Sequence, residues 1–238
     1  MAQAFDARQM AEAVAEVRYR MEQAAKTAGR SPADILLCAV CKTRTPETIR
    51  DSAALPVDLF GENHMQELVV NHEAGAYLDK PVHFIGHLQT NKVKKVVGKA
   101  HLIQSVDSLR LLEAIDREAR KQGIIQQILL EVNVGEEESK SGFKANEVLP
   151  LLEKIGTYSN ICIKGLMAIP PISKDPGDNL IFFQKIYHLS VDIKEKKYDN
   201  VKVDCLSMGM SDDFADAIAC GSTMIRVGTA IFGPRNYQ

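Results

Sequence analysis

The stretch Ile35-Leu36-Leu37-Cys38-Ala39-Val40-Cys41-Lys42 decides the fold, because it reads as a buried strand that ends on a lysine. A cation closing a buried strand is costly unless chemistry or a partner holds it there. Burial disfavours the ammonium form and turns the amine into a nucleophile able to condense with an aldehyde. The plainer account is a packed stem with its head in water. Apolar runs rich in β-branched and aromatic residues recur along the chain at 59–63, 82–86, 102–106, 127–134, 161–169, 201–206 and 224–228. With the first run they make eight strand candidates.

The segments between them read as helices. Met10, Val14, Val17 and Met21 form an amphipathic helix ahead of the Gly29-Arg30-Ser31-Pro32 break; Leu109, Leu112, Ile115 and Ala119 form a second stripe. Leu180, Phe183, Tyr187 and Val191 form a third, behind Asp178 as cap. Alternation of strand and helix selects a parallel sheet. Eight such units in 238 residues fit a closed (β/α)8 TIM barrel, typically about 250 residues, with an extra helix at the start. No G-x-G-x-x-G follows the first strand to suggest a dinucleotide fold. The expectation is an α/β chain whose residues 1–238 form one barrel domain, with Pro170 to Gly177 as a long loop after the sixth strand.

Twenty-nine basic and thirty-one acidic side chains give a net charge of -2, so nothing in the charge points to nucleic acid or an anionic membrane. The first residues lack a signal-peptide pattern, and no apolar stretch approaches the roughly 20 residues of a membrane span. The expected location is cytoplasmic. Five cysteines, mostly in apolar runs, read as free thiols. Cys38 and Cys41 spell C-x-x-C, but along a strand they point to opposite faces, which argues against a redox or zinc pair. His83 and His87 lack the Glu of H-E-x-x-H and read as core or rim histidines.

In such a barrel the active residues sit at the carboxyl ends of strands. Lys42, Glu62, Asn63, His87, Ser105, Asp107 and Asn133 all fall there. Arg226, inside the apolar eighth strand, must face groups that accept its hydrogen bonds; an Asp or Glu partner is the ordinary solution. Gly228-Thr229 follows it, and Ser207-Met208-Gly209-Met210-Ser211 follows strand seven. Both offer small residues, hydroxyls and free amides in the two loops that usually bind phosphate in this architecture. A reactive lysine, a phosphate cradle at Ser211, Gly228 and Thr229, and an arginine between them describe pyridoxal 5′-phosphate bound as a Schiff base.

The stretches Ala39-Val40-Cys41-Lys42-Thr43, Phe60-Gly61-Glu62-Asn63, His83 to Lys92, Glu138 to Phe143, Gly165-Leu166-Met167, Ser207 to Ser211 and Arg226 to Gly233 resemble the pyridoxal phosphate homeostasis protein family over nearly the whole chain. The resemblance implies a barrel similar to the cofactor domain of alanine racemase, as in fold type III proteins of this cofactor. It implies pyridoxal phosphate on Lys42, phosphate ligands Ser211, Gly228 and Thr229, a ring-side contact from Asn63, Arg226 at the pyridine nitrogen, and Met167 among the cofactor-binding residues. An arginine there keeps the ring nitrogen unprotonated and discourages carbanion chemistry. This chain departs from the family's pattern at Cys41, often Ser or Thr, and at His64, often Tyr.

The resemblance also implies a carrier and regulator in vitamin B6 and amino-acid balance, acting as a monomer and supplying apo forms of enzymes that use the cofactor. The rival is a racemase or decarboxylase of the same fold. Racemases of this type take a tyrosine base from a second domain of a partner subunit, and none of this chain's six tyrosines is placed to serve; His64, His87 or Cys41 would have to supply it. A third class, a cofactor-free enzyme acting on a phosphorylated metabolite, would use the same phosphate cradle. After strand five, the stretch Glu136 to Gly142 reads first as a solvated, charge-neutralised loop; the alternative is that Ser139, Lys140 and Ser141 offer a second, reversible landing place for departing cofactor.

Overall fold

A computed structural model describes residues 5–137, 140–172, 175 and 177–234. Eight parallel strands close into a barrel in chain order: β1 (Leu36–Val40), β2 (Leu59–Glu62), β3 (Val82–Phe84), β4 (Leu102–Val106), β5 (Gln126–Val132), β6 (Ile161–Ala168), β7 (Val201–Ser207) and β8 (Met224–Val227). The closing pair is β1 with β8, in a register that sets Cys38 beside Arg226. All eight strand expectations from the sequence are met within a few residues at each end.

Around the barrel lie α1 (Ala7–Thr27), α2 (Pro46–Ala53), α3 (Met65–Glu73), α4 (Leu109–Gln122), α5 (Ala145–Leu152), α6 (Leu180–Lys196), α7 (Phe214–Ala219) and the single turn α8 (Thr229–Phe232). Between β3 and β4 the connection is a 3-10 turn, Thr90–Lys95. The extra helix α1 starts at a capping box: Asp6 accepts from the Gln9 N–H at 2.8 Å, and the Gln9 side chain accepts from the Asp6 N–H at 2.9 Å. Its buried stripe is Met10, Val14, Val17, Met21 and Ala25, packed against α2, α7 and α8.

Period-two alternation sorts each strand between two cores. Leu37, Ala39 and Cys41 of β1 and its end join the large shell between strands and helices, whereas Cys38 packs inside the barrel with Leu59 and Met224. The two cysteines of C-x-x-C thus face opposite ways, and all five cysteines are free. A second interior cluster, Leu102, Leu129 and Met167, fills the other side. Among the described residues, no helix is long and apolar enough to cross a membrane.

The α6 stripe is turned from its expected position. Phe183, Ile186, Leu189 and Ile193 are buried, Tyr187 faces outward, and the cap is Asn179 in place of Asp178. Apolar residues on several faces of this helix leave periodicity alone unable to pick the buried one, and the contact with β7 and α7 does so. The long loop follows β6 as expected; its Ser173, Lys174 and Pro176 lie outside the described residues.

Candidate functional site

The carboxyl mouth of the barrel holds a cavity of about 590 Å³, within the ~300–1,000 Å³ range of small-molecule sites. Lys42, Asn63, Ser211, Arg226, Gly228 and Thr229 all line it. These residues come from the ends of β1, β2, β7 and β8, so barrel closure unites groups up to 187 positions apart in the chain (229 minus 42). Met167 is elsewhere: it is buried in the barrel interior against Leu102 and Leu129 and does not line this cavity.

Lys42 shares the inward face of β1 with Val40, which also lines the cavity. The next residue, Thr43, has φ +63°, a left-handed conformation costing a β-branched residue roughly 1–3 kcal/mol. It is held there by Arg44 N–H to Cys41 O at 3.1 Å and by its own N–H to Glu67 Oε1 at 3.1 Å. This tight turn fixes the backbone directly after Lys42.

The phosphate-type loops are built by glycine. Gly209 has φ +93°, and a Cβ there would lie 2.6 Å from Ala217 Cβ and 2.9 Å from Phe214 Cα. Its carbonyl accepts from the Arg226 N–H at 3.0 Å, which locks the loop after β7 onto β8. Among the described residues, the N–H groups of Ser211 and Asp212 donate to no protein acceptor. At Gly228 a Cβ would press within 3.3 Å of Val40, and Thr229 and Ala230 open a helical turn whose first amides have no intrahelical acceptor.

Arg226 is 4 % exposed, yet among the described residues no carboxylate pairs with it. The expected Asp or Glu partner is replaced by neutral acceptors: Nη1 donates to Ser207 O and Oγ, both at 2.7 Å, and Nη2 to Ala168 O at 3.1 Å. Burial pulls its pKa down, opposed by the fields of Cys38, Glu131 and Asp213. Two further cations that the sequence did not announce reach the cavity. Arg20 of α1 lies over the Phe214 ring at 4.8 Å; Arg44 lies over Phe232 at 5.6 Å and donates to Gly233 O at 2.8 Å. Among the described residues, four cations and one acid, Asp212, line the cavity of a chain whose net charge is -2. Such a wall favours a dianion.

A smaller cavity of about 270 Å³ adjoins the first and shares Asn63, Ile85 and Ile169 with it. His87 and Asn133 line it, and His87 Nδ1 lies 3.2 Å from Asp107 Oδ2. Ser105 donates to Gly86 O at 2.5 Å. Glu131 also lines this cavity and was missed, although a carboxylate inside Leu129-Leu130-Glu131-Val132 carries the same signal as Arg226. Burial, then the field of Asp107, raises its pKa to about 7. Lys140 reaches the rim, donating to Glu137 Oε1 at 2.7 Å and Pro170 O at 3.3 Å; Ser141 is beside it, and Ser139 lies outside the described residues.

Glu62 does not face either cavity. It is fully buried behind β2, accepting from Asn71 Nδ2 at 2.7 Å and Tyr77 Oη at 2.9 Å, because its neighbour Asn63 takes the inward side. Cys41 points the same way as Glu62, its thiol 3.4 Å from Gly61 O and its pKa raised by burial. His64 is exposed at the start of α3. None of the five described tyrosines lines the main cavity, and Tyr237 lies outside the described residues.

Residues 13–236 match the family model described as alanine racemase, N-terminal domain. A pyridoxal phosphate homeostasis protein of Aquifex aeolicus is 41 % identical over 226 residues, covering 95 % of this chain and 98 % of its own. This chain belongs to the pyridoxal phosphate homeostasis protein family. Two solved structures are similar to it. A protein of Bifidobacterium adolescentis is 36 % identical with a TM-score of 0.89, covering 95 % of both chains. PipY of Synechococcus elongatus, solved with pyridoxal phosphate bound, is 30 % identical with a TM-score of 0.77, covering 90 % of this chain and all of its own. Family membership agrees with the closed barrel.

Proposed function

We propose that this protein binds pyridoxal 5′-phosphate as a Schiff base on Lys42 and serves as a carrier in vitamin B6 and amino-acid homeostasis, with no turnover of its own. The observation that carries the reading is one cavity lined by a strand-end lysine, the small and hydroxyl residues of the loops after β7 and β8, and a buried arginine. The cavity also passes a test of fit. Asn63 lines it with a buried Oδ1 that has no hydrogen-bond partner among the described residues, so a ligand's polar group is called for at that amide.

When bound, the cofactor supplies an aldehyde carbon that condenses with an amine and a ring that draws electrons most strongly when its nitrogen is protonated. Lys42 offers the amine. Ser211, Gly228 and Thr229 hold the phosphate, with Arg20 and Arg44 adding positive field at the mouth. Arg226, carrying only donors, would hold the ring nitrogen without a proton, which would discourage carbanion chemistry. His64 and Cys41 do not line the cavity, and His87 is tied to Asp107 in the adjoining one, which supports a carrier over a racemase or decarboxylase. Its proposed partners are apo forms of enzymes that use the cofactor.

Borohydride reduction followed by peptide mapping tests the attachment. The reduced label is expected on Lys42, and a label on another lysine with none on Lys42 would refute it. Incubation with amino acids in D2O tests the carrier reading: the expected result is no exchange of the α-hydrogen, together with cofactor transfer when an apoenzyme is added.

A further inference from the structure

Four polar side chains form a hydrogen-bonded line through the barrel interior, from the cofactor cavity towards the opposite mouth. Arg226, Ser207, Gln104 and His83 come from β8, β7, β4 and β3, and each is 4 % exposed or less. Arg226 Nη1 donates to Ser207 Oγ at 2.7 Å, Ser207 Oγ meets Gln104 Oε1 at 2.6 Å, and Gln104 Nε2 meets His83 Nδ1 at 2.9 Å. The second hydrogen of Gln104 Nε2 is directed at Met224 Sδ, 3.2 Å away.

Donor bookkeeping gives this line a single direction. A guanidinium can only donate, so Ser207 Oγ accepts from it and must send its own proton elsewhere. Among the described residues the only acceptor within reach of that hydroxyl is on Gln104, which fixes Oε1 towards Ser207 and the amide NH2 towards His83. His83 Nδ1 must then offer a lone pair, so the imidazole is neutral and carries its proton on Nε2. Burial, which pushes the His83 pKa down to about 3, favours the same neutral form.

We infer that Gln104, acting through Ser207, is a positioning residue that sets how Arg226 is presented to the cofactor site. Both Nη1 hydrogens of Arg226 are consumed by Ser207 and one Nη2 hydrogen by Ala168 O, which leaves Nε–H and one Nη2–H for the cavity. Without the Gln104 acceptor, the Ser207 hydroxyl is free to rotate its proton towards the guanidinium, and the fork loses its register. A deletion at Gln104 therefore reaches the site from a residue that does not line it. The inference rests on the proposed placement of the ring against Arg226, but the direction of the line can be tested in cofactor-free protein.

The experiment compares the full chain with its Gln104→Leu and Gln104→Glu variants, by His83 ring 15N shifts without cofactor and by the affinity and absorption band of added pyridoxal phosphate. Wild-type His83 is expected as the neutral Nε2–H form. Gln104→Leu removes the acceptor, so affinity should fall by at least about tenfold and the bound band should move. Gln104→Glu keeps an acceptor for Ser207, and its second oxygen can meet His83 Nδ1 as an acid O–H or accept from it as a carboxylate. Affinity should therefore hold near the wild-type level. A folded Gln104→Leu protein with wild-type affinity and band overturns the positioning role. If that variant does not fold, the wild type decides, and a cofactor-free His83 with its proton on Nδ1 overturns the directed line. A wild type that binds no pyridoxal phosphate defeats the site assignment, while its His83 tautomer still decides the direction of the line.

Discussion

Replacing Glu131 with glutamine should make the cofactor-free protein more stable at pH 8 and only about a quarter as much so at pH 5. The carboxyl sits where burial dominates; Asp107 adds like charge, and Arg226 and His87 oppose the rise only in part. Its pKa is about 7 in the folded protein, against an ordinary value of 4.5. Between those values the folded chain binds more protons at this group than the unfolded chain, so stability falls as pH rises, and the full cost is reached above pH 7. That cost is about 3 kcal/mol. For a chain of this length it corresponds to about 6–12 °C in Tm. Thermal unfolding of wild type and Glu131→Gln at both pH values measures it. An offset of equal size at pH 5 and pH 8, or a wild type that is the more stable at pH 8, would refute the argument.

Two other variants probe the cavities directly. Removing both hydroxyls in the Ser211→Ala, Thr229→Ala double variant should cost about 1.5–3 kcal/mol per lost charge-assisted bond, seen as weaker cofactor retention with little change in Tm; equal affinity in equilibrium dialysis would contradict the cradle. Lys140→Ala should leave cofactor content at Lys42 normal while slowing transfer to an apoenzyme, because the Lys140 amine lies at the rim of the adjoining cavity, held by Glu137 and Pro170. An unchanged rate in a stopped-flow transfer assay would limit Lys140 to tying the loops after β5 and β6 together.

The strands were legible because a barrel strand advertises itself locally, by an apolar run with a polar residue at its carboxyl end. Lys42, Asn63, Ser211, Arg226, Gly228 and Thr229 could be read on that basis, since once the barrel is granted their shared position at strand ends implies a shared cavity. Which way each polar residue turns was only partly legible. Glu62 and Asn63 are neighbours and must face opposite sides, but nothing local says which of them faces in.

What only the tertiary structure decided are the partners. Arg226 called for a partner in the sequence; that it is met by Ser207 and a carbonyl, and not by a carboxylate, depends on how β6, β7 and β8 pack together. Gln104 and Ser207 are 103 residues apart in the chain and meet because the barrel closes. Arg20 reaches the cavity from a helix that, read alone, shows only an amphipathic stripe. Periodicity reports which residues seek burial, but hydrogen bonds and fields fall off over a few ångströms and are set by residues distant in sequence, so they exist only once the chain has folded.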